Sequence, residues 1–215
     1  MIVSLFGPDG VGKSVVAKEL IKKGWPVFSG TGVASWPDPV WHNELLSKGL
    51  HEPSIDNPEH FLEKIKRLYE LAHKIDQTEG IAVIDSNSFH KTLMHDYVRA
   101  LPDRERAGQM MRSRFNQLRQ MIGDDRSSEL HIYLQVSDSL SNEEQAKILQ
   151  QRVHGRGELA YFDPSSLRQS FNMIQAYQEL VSVIKEHNEH VITIFTDRPL
   201  DTMSLDHSIE SIFRA

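Results

Sequence analysis

Ile2-Val3-Ser4-Leu5-Phe6-Gly7-Pro8-Asp9-Gly10-Val11-Gly12-Lys13-Ser14 runs from an apolar segment into a glycine-rich turn that ends on Lys-Ser. Residues 7–14 fit the spacing G-x-x-x-x-G-K-[ST], the phosphate-binding loop. A polyphosphate needs several hydrogen-bond donors crowded onto one small anion, and inward-turned backbone N–H groups supply them with the least bulk. Gly7, Gly10 and Gly12 permit that turn. Lys13 is expected to reach the β- and γ-phosphates, and the Ser14 hydroxyl to ligate Mg²⁺. The run before the loop has the make-up of a buried parallel strand. After it, Val15, Val16, Leu20 and Ile21 are spaced as the apolar face of a helix that Gly24 can end.

Composition sets the outer limits. A chain of 215 residues can bury one good core, so a single domain over 1–215 is expected. Within it, an excursion covers about 30–80 and a lid about 152–163. Charged residues make up 25% and the net charge is −6, which disfavours a broad nucleic-acid groove. With no cysteine, disulfides, thiolate metal sites and a cysteine nucleophile are excluded. Without a long apolar run or a leader-like start, the expectation is a cytoplasmic protein without a membrane span; a homodimer is compatible with it. The eleven histidines form no sequence cluster and read mostly as surface residues.

Five short apolar runs alternate with helical patterns and predict a three-layer α/β/α fold on a five-stranded parallel sheet. The runs are Ile2–Phe6, Pro26–Ser29, Ile81–Asp85, Leu130–Val136 and Val191–Phe195. Helical patterns are expected over Pro58–Glu79, Lys91–Leu101, Arg104–Gly123, Ser141–Arg152, Ser165–Glu186 and Leu205–Phe213. In such sheets ligands gather beyond the carboxyl ends of the strands. Asp85 closes the third run there, placed to hold Mg²⁺ or to act as a base for an acceptor hydroxyl. Arg152-Val-His-Gly-Arg156-Gly-Glu carries two arginines between glycines, a pattern suited to a closing lid that stabilises a transferring phosphoryl group.

Arg156–Val181 and its lead-in His131–Arg152 resemble the lid region of thymidylate kinases, which also carry Asp or Glu at the position of Asp9 and an arginine where Arg67 sits. Thr196-Asp197-Arg198-Pro199-Leu200 resembles their closing adenine-side loop. The resemblance implies a P-loop kinase with ATP and Mg²⁺ as cofactors and small nucleotides as substrates, the acceptor being dTMP or a 5-substituted relative. It implies ATP contacts from Gly7, Asp9, Gly10, Val11, Gly12, Lys13, Ser14, Val15 and Arg198, with Mg²⁺ at Ser14 and Asp85. Lys13, Asp85, Arg152 and Arg156 would carry catalysis, and Asp9, Arg67 and Phe89 would contact the acceptor.

The chain departs from that family on the acceptor side. Asp85-Ser86 stands where the family has Asp-Arg, and Glu63 where it often has a stacking aromatic. Lys91, Arg99 and Arg112 are candidates for the missing charge, and Trp36, Trp41, Phe89 and Tyr97 for a stacking group. Two other readings follow. One is a kinase for a nucleoside, sugar or modified-base hydroxyl; the other is a nucleotide-binding regulatory protein without turnover. A GTPase is disfavoured because N-K-x-D is missing.

Overall fold

The computed structural model of the chain describes residues 1–29, 58–85, 87–123, 129–154, 167–187 and 189–197. Among these residues five parallel strands form one sheet: β1 (Ile2–Phe6), β2 (Val27–Ser29), β3 (Ala82–Asp85), β4 (Glu129–Gln135) and β5 (His190–Phe195). Their order is β2-β3-β1-β4-β5, so β1 is central and both of its neighbours, β3 and β4, come later in the chain. Among the described residues six helices connect them: α1 (Lys13–Lys22), α2 (Pro58–Glu79), α3 (Ser88–Ala100), α4 (Arg104–Ile122), α5 (Asn142–His154) and α6 (Leu167–Glu186).

Side chains alternate across the sheet and separate two cores. Met1, Val3, Leu5, Leu130, Ile132 and Leu134 pack with Val16, Ala17 and Leu20 of α1 and Ala146 and Leu149 of α5. Ile2, Phe6, Ala82, Ile84 and Tyr133 face α2, α3, α4 and α6, from which Ile65, Leu68, Phe89, Leu93, Phe115 and Leu180 fill the space. The result is a parallel sheet between two helical layers, and no described helix is long and apolar enough to cross a membrane.

The observed boundaries follow local chemistry. α2 spans the expected Pro58–Glu79, with Pro58 at its first position, where a missing N–H costs nothing. α3 begins at Ser88, three residues before the expected start, because the Asn87 side chain caps it by accepting from the Phe89 N–H at 3.0 Å. α1 ends where expected: Gly24, at φ +81°, takes the left-handed turn beyond Lys23. Val15 departs from the expected apolar face, being 55% exposed, while Val16, Ala17 and Leu20 turn inward. The expected helix over 205–213 lies outside the described residues, as do Trp36, Trp41, Ser86, Arg156 and Arg198.

A second departure concerns the histidines. His90 and His131 are fully buried and meet each other, Nε2 to Nδ1 at 3.1 Å, on the four-helix side of the sheet. Glu129 and His131 lie on the four-helix face of β4, alternating with Leu130, Ile132 and Leu134 on the other buried face, so polar groups stand in a strand that reads as apolar.

Candidate active site

The loop after β1 is shaped by close backbone approaches. A Cβ on Gly7 would lie 2.6 Å from the Leu134 carbonyl oxygen, closer than any side chain can sit. A Cβ on Gly10 would meet the Leu149 carbonyl and the Val153 side chain at 3.0 Å each, so α5 presses directly on the loop. Both glycines, with Gly12, have positive φ. Gly12 stands at the N-cap of α1 in the left-handed conformation, and no side chain caps the helix there. The first turn of α1 also holds no acidic residue, so the positive end of the helix dipole is left for a ligand.

Lys13 folds back over this loop. Its ammonium donates to the carbonyl oxygens of Gly7 at 2.8 Å and Pro8 at 3.0 Å, and lies 3.6 Å from Asp9. Ser14 follows it at the second position of α1, beside Gly12 and the loop. The glycine turn, the uncapped helix end and the lysine match the donor set that a polyphosphate requires.

Partial enclosure pushes the Asp9 carboxyl up, but Lys13, Lys91 and His95 outweigh it and hold it below the ordinary carboxylate value. The influence of Lys91 and His95 puts one face of α3 opposite Asp9, since residues four apart share a helix face. His95 is itself lowered, first by burial and then by Arg99 and Lys91. Tyr177, fully buried on α6, is raised by burial and by the charge of Asp9. Asp9 is therefore within electrostatic reach of Lys91 and His95 on α3 and of Tyr177 on α6.

Asp85 ends β3, 5% exposed, in register with Leu5 of β1 and Ser29 of β2. Gly7 is two residues beyond Leu5, so the carboxylate and the loop occupy neighbouring carboxyl ends of the sheet. Arg152, near the end of α5, donates to Thr196 Oγ1 at 3.0 Å and to the Thr196 carbonyl at 3.3 Å, anchoring the α5 end to the residue after β5. For Arg67, the structure fixes only its place on α2, between Ile65 and Tyr69.

Two sequence expectations are corrected here. Phe89 is wholly buried, edge-on to Tyr69, His90 and Phe115 and capped by the Arg119 guanidinium at 4.6 Å, so its ring offers no face to an acceptor base. Tyr97 is buried in the same core. Arg112 is bound by Glu179 at 2.9 Å and by Glu186 through two 2.9 Å bonds, so it is not the replacement charge near Asp85; the α3 face of Lys91 and His95 is what lies near Asp9.

Sequence reasoning missed a buried polar network beneath the site. Ser4 and Tyr69 both donate to Glu129 Oε1 at 2.9 Å, and Arg119 donates to Glu129 Oε2 at 2.7 Å. Burial pushes the Glu129 carboxyl up, but Arg119 and His131 hold it far below the usual carboxylate range, so it is ionised. Arg119 also pairs with Glu189, which lies 2.7 Å from His131 Nε2. Glu129, His131 and Glu189 are donors of a type that could hold a metal ion, but the Arg119 guanidinium contacts all three and already supplies the positive charge. The alternating Ser4, Glu129 and His131 within apolar strands are the signal that could have revealed this network.

Comparison with known proteins bears on the fold alone. The chain matches no protein-family model and no curated protein. Among solved structures it is similar to a deoxyadenosine kinase from M. mycoides with bound dATP, at 16% identity, TM-score 0.55, over 100% of this chain and 98% of that one. A second structure of deoxyadenosine kinase from M. mycoides, with the products dCMP and a flexible dCDP, gives 17% identity and TM-score 0.48 over 100% and 97%. The three-layer α/β fold with its parallel sheet is thus one that a nucleoside kinase uses.

Proposed function

We propose that the protein is a P-loop kinase that moves the γ-phosphoryl group of ATP onto a hydroxyl of a nucleoside. The observation that carries this reading is the placement of Asp85, a nearly buried carboxylate at the end of β3, one strand from the loop that Lys13 closes. A hydroxyl acceptor must lose its proton as its oxygen attacks phosphorus, and a carboxylate beside the phosphate loop is the group that takes it. A phosphate acceptor is already a nucleophile and needs no such base. The fold shared with a deoxyadenosine kinase supports the same substrate class by analogy.

In this mechanism the loop N–H groups and Lys13 hold the triphosphate and stabilise its charge as the bond to the leaving diphosphate breaks. Mg²⁺, when bound, would neutralise charge on the phosphates, with Ser14 and Asp85 the residues to hold it or its waters. Arg152 and Arg156 would exclude water and meet the transferring phosphoryl, Arg152 by exchanging its Thr196 contacts for phosphate oxygens.

A second reading, a nucleoside monophosphate acceptor such as dTMP, is favoured by the cationic face of α3 near Asp9, with Arg67 on α2. Labelled ATP offered with matched panels of nucleosides and monophosphates separates the two. Label transferred to nucleosides supports the first; label transferred only to monophosphates replaces it with the second.

A further inference from the structure

Asn87 is completely buried two residues after Asp85, and both hydrogens of its amide and its carbonyl oxygen are engaged. Its oxygen caps α3 through the Phe89 N–H. Its nitrogen donates to Ser4 Oγ at 3.0 Å and to Tyr69 OH at 2.9 Å. Each of those hydroxyls has a single hydrogen, and both direct it to Glu129 Oε1 at 2.9 Å. Both oxygens must therefore accept from Asn87, and only an NH₂ group can serve two acceptors while the same side chain accepts from a backbone N–H. Serine or aspartate would cap the helix equally well. The amide is required by the other two bonds.

Those two bonds reach the elements that frame the proposed site. Ser4 lies on β1, three residues before Gly7, and Tyr69 lies on α2, two residues after Arg67. The far end of the network is fixed, because Glu129 is held by Arg119. We propose that Asn87 is a positioning residue that ties the chain beyond the end of β3 to β1 and α2 and so sets the Asp85 carboxylate against the phosphate-binding loop. It touches no reacting atom; it acts through the chain that continues from Asp85. The inference rests on the reading of Asp85 as the group that receives the acceptor's proton.

The test uses the full chain with Asn87→Ser, which keeps a cap and removes the two donors, and Tyr69→Phe, which keeps the ring and removes one tether. Backbone hydrogen exchange and steady-state kinetics are read together. The expected result for Asn87→Ser is exchange faster by roughly 10-fold or more over residues 87–91, with residues 7–22 unchanged. With a nucleoside acceptor, kcat should fall roughly 10- to 100-fold while the KM for ATP stays within about 2-fold, the mark of a displaced reacting group. Tyr69→Phe should change both in the same direction by less, and it carries the test if Asn87→Ser does not fold. Exchange that accelerates uniformly along the chain, or kcat equal to wild type, overturns the proposal. Should the wild type phosphorylate no acceptor, the proposed reaction fails, and the exchange pattern alone still decides whether Asn87 holds the chain beyond β3.

Discussion

Lys13 donates to the Gly7 carbonyl at 2.8 Å, so the lysine expected to meet phosphates spends its charge on its own loop. A second bond to Pro8 and the proximity of Asp9 leave the side chain only 10% exposed. Under the proposed function, an arriving polyphosphate would offer Lys13 anionic partners stronger than these carbonyls.

Gly10→Ala should damage the loop from behind. The new Cβ would meet the Leu149 carbonyl at 3.0 Å, and a left-handed φ costs a non-glycine residue about 1–2 kcal/mol. Thermal unfolding should shift down by roughly 2–8 °C in a chain of this size. ATP affinity, measured by calorimetry, should fall as well; unchanged affinity would mean that α5 does not shape the loop.

Asp85→Asn separates a base from a structural carboxylate. The swap conserves shape and removes the proton acceptor. With a nucleoside, kcat should drop about 10²- to 10⁴-fold, the usual worth of general base catalysis. Retained kcat would remove Asp85 from the proton path.

Lys91→Gln tests the cationic face of α3. If a monophosphate is accepted, its KM should rise roughly 10-fold, since a hydrogen bond to a charged group is worth about 1.5–3 kcal/mol. The KM for a neutral nucleoside should move by less than about 2-fold. Equal effects on both would show that Lys91 acts on the loop and Asp9 rather than on the acceptor.

Stability should fall as pH drops below about 6.5, before the carboxylates titrate. Burial pushes His90 well below its ordinary value, and His95 is lowered too, so the unfolded chain binds protons that the folded chain refuses. Each refused proton removes up to about 1.4 kcal/mol per pH unit in that window. Glu129 has the same sign in a lower window: its depressed carboxyl contributes stability above its ordinary value near 4.5, which is lost as pH falls below it. Urea unfolding between pH 6.5 and 5 measures the first slope, and His90→Phe should remove the larger part of it. An unaltered slope would place the titration elsewhere.

The elements that position the site were legible because their signals are local. The glycine spacing of residues 7–12, the apolar run before it and the period of Ile65, Leu68, Ala72 and Ile75 each specify an element without help from distant residues. What the sequence hid depends on pairing across the sheet. Ser4, Tyr69, Asn87, Arg119 and Glu129 lie in five different elements or turns, and no spacing announces that they share hydrogen bonds. Phe89 was misread for a related reason: an aromatic after a strand end suits either a cleft or a core, and the Asn87 cap turns it into the core.

The most direct test of phosphoryl transfer at this loop is to follow label from γ-labelled ATP into nucleosides with the wild type and with Lys13→Ala. The wild type should yield labelled nucleoside monophosphate. Lys13→Ala should lose at least about 100-fold in that rate, as expected when a preorganised charge donor is removed. It should also melt several degrees lower, because the loop loses charge-assisted bonds worth about 1.5–3 kcal/mol at most. A wild type that labels neither nucleosides nor monophosphates, or a folded Lys13→Ala that transfers label at the wild-type rate, would contradict a kinase built on this loop.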